Sequence, residues 1–88
     1  MLIENIILNN KLGLHTRAAA KLVELSSRFS SQIELSLDTK KVNAKSILNV
    51  MLLSAGNGSK LTITIVGADE NDAMTALKAL FEGNFGEE

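Results

Sequence analysis

The sequence predicts an α+β fold of two layers, an antiparallel β-sheet covered on one face by helices. Two stretches, Ile33 to Leu37 and Lys60 to Val66, alternate apolar with more polar residues at the period of a half-buried strand. Two others, Ala18 to Phe29 and Ala73 to Phe81, repeat apolar residues at helical spacing. Taken along the chain the segments run β-α-β-β-α-β-α, an order that gathers helices on one face of the sheet. Periodicity does not give the order of strands, and a ferredoxin-like arrangement is the nearest rival.

Leu2 to Leu8, rich in Ile and Leu, reads as the first strand, and Asn9, Asn10, Lys11, Leu12 and Gly13 carry turn and loop chemistry. A helix is predicted to start near His15 or Thr16. It sets Ala19, Leu22, Val23 and Ser26 on one face and Lys21, Glu24 and Arg28 mostly on another, with Ser26, Ser27, Ser30 and Ser31 marking a fraying end. Ile33, Leu35 and Leu37 form the buried side of a second strand, Asp38 to Lys40 turns the chain, and Lys41 to Ala44 returns as a short third strand. Ser46 reads as the N-cap of a short helix reaching about Leu53, closed by Gly56, Asn57 and Gly58. Leu61, Ile63 and Ile65 alternate with Thr62, Thr64 and Val66 in a fourth strand that Gly67 ends. Asp69 is predicted to cap a last helix, with Glu70 and Asp72 in the first turn, where acids suit the helix dipole. Ala73, Leu77, Leu80 and Phe81 form its apolar face, and Gly83 its stop.

The 88 residues have room for one domain, 1–88. A chain of this size has a net stability of roughly 4–13 kcal/mol and little capacity for a large internal cavity. The hydrophobic share is 45% with three aromatic residues, all Phe, so the core is built from Leu, Ile, Val, Ala and Met. With no cysteine and one histidine, no metal and no cofactor is expected. Nine basic and ten acidic residues are scattered along the chain, which lacks the basic footprint of a nucleic-acid binder. No run of apolar residues is long enough to span a bilayer and the first residues do not resemble a signal peptide, so a cytoplasmic protein that neither binds nor crosses membranes is expected.

His15, the only histidine, stands where the loop Leu12-Gly13-Leu14 runs into a helix, and Arg17 follows two positions later. Backbone N–H groups at a helix start lack intrahelical partners and carry partial positive charge, so an anion such as a phosphoryl group is stabilised there. Arg17 adds a permanent cation able to bond two phosphoryl oxygens. A nucleophilic histidine must be neutral, and this positive surrounding favours the uncharged ring before transfer and the negative adduct after it. There is no Walker-type loop and no kinase motif set, so the phosphoryl donor is expected to be another protein. On spacing alone, a surface or helix-capping histidine beside a solvated arginine is an equally good reading.

The residues themselves go further. Gly13-Leu14-His15-Thr16-Arg17-Ala18-Ala19-Ala20 resembles the phosphorylation site of the HPr family, the histidine-containing phosphocarriers of the bacterial phosphoenolpyruvate phosphotransferase system. Val42-Asn43-Ala44-Lys45-Ser46-Ile47-Leu48 is similar to that family's second signature, and Gly67-Ala68-Asp69-Glu70 with the helix after it to its C-terminal segment. The resemblance implies an open-faced β-sandwich, a four-stranded antiparallel sheet with three helices on one face. It also implies a phosphoryl group carried on the δ nitrogen of His15 and bound by Arg17, taken from enzyme I and passed to IIA domains. Two departures stand out: Thr16 where the family commonly has Ala, and Ala18 where it commonly has Pro, which would preset the first helical turn. They leave open whether the branch served is sugar transport or nitrogen-related regulation.

In many members of the family the serine matching Ser46 is also phosphorylated by a dedicated kinase and dephosphorylated by a phosphorylase, which adds regulation to its capping role. The helix after it is too apolar to face one core: Val50 and Leu53 are expected inward and Ile47, Leu48 and Met51 outward, as a patch for a partner. The alternative is that the whole run is core. By the resemblance, Thr16, Ala20, Ile47, Leu48 and Met51 dock both enzyme I and the IIA domains, while Met74 and Phe81 read as core. A monomer is expected. The rivals are a regulatory interaction module in which His15 is only a switch, and a small RNA-binding domain, which lacks the charge and the aromatic residues for base stacking.

Overall fold

The computed structural model describes residues 1–87. Its elements are β1 (Leu2–Ile7), α1 (Thr16–Ser26), β2 (Gln32–Leu37), β3 (Lys40–Asn43), α2 (Ile47–Leu52), β4 (Lys60–Val66), α3 (Glu70–Glu82) and a terminal 3-10 turn, Asn84–Gly86. The strands form one sheet in the order β1-β4-β2-β3, every neighbour antiparallel. This is the α+β open-faced sandwich expected from the sequence.

Register explains which residues are covered. Leu2, Ile65 and Ile33 stand opposite one another across three strands, as do Glu4, Ile63, Leu35 and Val42 across four, so each row shares a face. Ile33, Leu35, Val42, Leu61, Ile63 and Ile65 are buried on that face. Ala18, Ala19 and Leu22 from α1, Val50 from α2, and Ala73, Met74, Leu77 and Phe81 from α3 close over them. The fully buried Leu and Ile side chains each contribute about 1.5–3 kcal/mol relative to exposure. On the opposite face Ile3 and Val66 remain exposed.

The alternating and amphipathic segments fold as their patterns predict, with β4 keeping its predicted bounds, β1 ending one residue earlier and β3 shifted by one residue. Three details differ. The serine-rich stretch after α1 does not fray: Ser26 and Ser31 are buried, and the N–H groups of Arg28 and Phe29 bond back to Leu25 and Ser26 carbonyls. Asp69 sits at the N-cap position of α3, yet its carboxylate makes no bond to that helix. It accepts instead from the Ser31 hydroxyl and from the N–H groups of Ser30 and Ser31 at 2.9 and 3.0 Å, fastening the α1–β2 connection to the start of α3. These donors, the Ser31 hydroxyl first, lower its pKa to about 2.

The third difference is the tail. α3 ends at Glu82 as expected, but Gly83 does not release the chain. Asn84 and Phe85 adopt positive φ in the 3-10 turn, which drives the Phe85 ring inward against Phe81, edge to face with centroids 4.9 Å apart. The Lys21 ammonium, from the polar face of α1, donates to the Phe85 carbonyl at 2.6 Å and pins the turn.

Candidate functional site

The loop between β1 and α1 is fixed by its backbone. The Gly13 N–H bonds the Asn10 carbonyl at 3.0 Å, and the Leu14 N–H bonds the Ala55 carbonyl at 2.9 Å. Gly13 has φ +68°, and a Cβ there would lie 2.5 Å from the Ala55 oxygen and 2.8 Å from the Gly56 Cα. Only glycine fits a left-handed position pressed this closely against another backbone. Leu14 is buried next to it and anchors the residue that follows.

That residue, His15, is the N-cap of α1, with extended backbone and no side-chain bond to its own helix. Its carbonyl accepts the first helical bond, from the Ala19 N–H at 2.8 Å. The N–H groups of Thr16, Arg17 and Ala18 therefore have no partner among the described residues. Arg17 is exposed and makes no ion pair among them. The first turn of α1 thus carries a half-buried imidazole, three N–H groups without partners among the described residues and an exposed arginine, residue types suited to holding a dianion.

The two ring nitrogens of His15 are unlike. Nδ1 makes no hydrogen bond among the described residues. Nε2 is buried and lies 2.6 Å from the Glu87 carboxylate, an approach too far off the ring N–H direction to count as an aligned hydrogen bond. The other oxygen of Glu87 accepts from the Asn10 amide at 3.2 Å, and the same buried amide donates to the Gly13 carbonyl at 2.6 Å. The His15 ring beside it, then the Asn10 amide, holds the Glu87 carboxyl below the usual carboxylate range. Sequence reading missed Asn10 and Glu87. An Asn in a turn-rich loop and a Glu near a chain end are unremarkable until the Phe85 turn brings the tail back to α1.

Of the other predicted site residues, Thr16 and Ala20 are exposed on α1. Ser46 caps α2, its hydroxyl accepting from the Asn49 N–H at 3.4 Å and from the Asn49 amide at 2.8 Å. Val50 and Leu53 are buried, whereas Ile47, Leu48 and Met51 are exposed at 38, 75 and 37%. Leu52 and Leu12 are also exposed, which the sequence had not singled out. Among the described residues no helix is long and apolar enough to cross a membrane.

Fold and site together define a small α+β protein of the open-faced sandwich class whose single histidine stands at the N-cap of its first helix. The family described as PTS HPr component phosphorylation site matches residues 3–83. The phosphocarrier protein HPr of Xylella fastidiosa (strain 9a5c) is 51% identical over 88 residues, covering 100% of this chain and 99% of that protein. The crystal structure of HPr-C-His from Thermoanaerobacter tengcongensis superposes with a TM-score of 0.97 at 46% identity, covering 100% of this chain and 99% of that one. A crystal structure of an HPr dimer from the same organism gives a TM-score of 0.80 at 48% identity over 93% of this chain and 94% of that one. The chain belongs to the HPr family, the phosphocarrier proteins of the phosphotransferase system.

Proposed function

We propose that this phosphocarrier takes its phosphoryl group from phospho-enzyme I onto Nδ1 of His15 and delivers it to IIA domains. The observation that supports this most directly is the asymmetry of the ring at the start of α1: among the described residues Nδ1 has no partner, while Nε2 faces the Glu87 carboxylate at 2.6 Å. In the forward step the Nδ1 lone pair forms a P–N bond as the P–N bond of the donor histidine breaks, and the donor ring keeps that electron pair. Arg17 and the helix N–H groups hold the phosphoryl oxygens, which carry negative charge throughout the transfer.

Docking falls to Thr16 and Ala20 on α1 and to Ile47, Leu48 and Met51 on α2, an exposed apolar surface beside the acceptor. A phosphate on Ser46, added by a kinase and removed by a phosphorylase, would put about −2 charge beside Ile47 and Leu48 and weaken that contact. The protein works as one cytoplasmic domain, 1–88, and as a monomer when it docks. The test is phosphorylation by phosphoenolpyruvate and enzyme I: the chain acquires one acid-labile phosphate, and the His15→Ala variant, folded by its thermal transition, acquires none. Acid-labile phosphate retained on His15→Ala would overturn the assignment.

A further inference from the structure

The established role requires only a histidine and an anion site, yet the tail is built to deliver one carboxylate to the unreactive side of the ring. We propose that Glu87 is a positioning residue for the phosphoryl transfer, holding the proton of His15 on Nε2 so that the lone pair stays on Nδ1. This rests on the reading of His15 as the acceptor.

A carboxylate oxygen 2.6 Å from Nε2 repels the negative end of an unprotonated ring nitrogen and attracts a protonated one, even at an angle off the N–H axis. The neutral ring facing Glu87 is thus the Nε2–H tautomer, and its free electron pair projects from Nδ1, the nitrogen that does not face the carboxylate. The carboxylate is itself held in place. The Asn10 amide bonds its second oxygen, the Phe85 ring is buried against Phe81, and Lys21 holds the Phe85 carbonyl. Only Gly86 lies between the anchored Phe85 and Glu87, which leaves little freedom for Glu87 to wander.

The transfer step gives the carboxylate a second effect. As Nδ1 forms the bond to phosphorus and the donor's P–N bond breaks, the acceptor ring keeps its Nε2–H and becomes a phosphorylated imidazolium with one unit of positive charge. Glu87 faces that charge from the side opposite the incoming phosphoryl group, as a carboxylate supports the imidazolium in a Ser-His-Asp triad. Arg17 and the helix start stabilise the phosphoryl oxygens, and Glu87 stabilises the ring that carries them.

The test uses the full chain labelled with nitrogen-15, read by long-range proton–nitrogen spectra at a pH where the ring is neutral. The wild type should show the Nε2–H tautomer almost alone. Glu87→Ala should shift toward a mixture containing the Nδ1–H form and, under phospho-enzyme I, lose on the order of tenfold in kcat with little change in KM, the low end of the cost of removing a histidine's orienting partner. Glu87→Gln, whose carbonyl still accepts, should restore the tautomer but not the full rate. A wild-type tautomer ratio in Glu87→Ala, or a wild-type rate in Glu87→Gln, would overturn the proposal. The tautomer is read without any phosphoryl donor, so a failure of His15 to accept phosphate would be seen separately.

Discussion

Replacing Gly13 by alanine should unsettle both the fold and the site, and the structure says by how much. At φ +68° an L-residue costs about 1–2 kcal/mol. The added methyl would meet the Ala55 oxygen at 2.5 Å and the Gly56 Cα at 2.8 Å, both backbone atoms that cannot rotate away. Overpacking of this kind costs about 1–3 kcal/mol, which with the backbone term makes about 2–5 kcal/mol. Against a stability of roughly 4–13 kcal/mol for a chain of this length, that is a large fraction. A loss of about 3 kcal/mol lowers Tm by roughly 12–24 °C. Urea unfolding with an unchanged m-value, run beside thermal melts, reads the change directly. Gly56→Ala is the internal control, because a Cβ there meets nothing within 4 Å. It should stay within about 1 kcal/mol of the parent. The reasoning fails if the two variants are equally stable.

Two further predictions probe the latch and the docking surface. Asp69 has a folded-state pKa of about 2, below its unfolded value of 3.8, so its stabilising contribution is complete above about pH 4 and is lost as pH falls through 2. Between pH 5 and 2, Asp69→Asn should show a shallower fall in urea midpoint than the wild type, and parallel curves would count against the latch. Leu48, 75% exposed, should accept aspartate with a stability change within about 0.5 kcal/mol. The same Leu48→Asp change should lower kcat/KM for transfer to a IIA domain by about tenfold or more, while wild-type transfer kinetics would remove α2 from the docking surface.

Local chemistry made much of this molecule legible. The β-branched alternation of β4 marked both its ends, because each buried Leu61, Ile63 and Ile65 is flanked by residues that tolerate the open face. The N-cap placement of His15 and the outward set of Ile47, Leu48 and Met51 followed from helix geometry and an excess of apolar residues over available core. What stayed hidden depends on contacts distant in sequence. Asp69 carries every mark of an N-cap, but its carboxylate meets Ser30 and Ser31, 39 and 38 positions earlier, and three donors there outcompete the helix start. The buried Phe85 follows a glycine that normally ends structure, so no periodicity announced it. Asn10 and Glu87 are joined across 77 positions, and the site is only half described without them.

The most direct measurement is the nitrogen and phosphorus NMR spectrum of the chain after incubation with enzyme I and phosphoenolpyruvate. One phosphorus signal coupled to Nδ1 of His15, with Nε2 still protonated, is the predicted result. Phosphate on Nε2, or on any residue other than His15, would contradict the account.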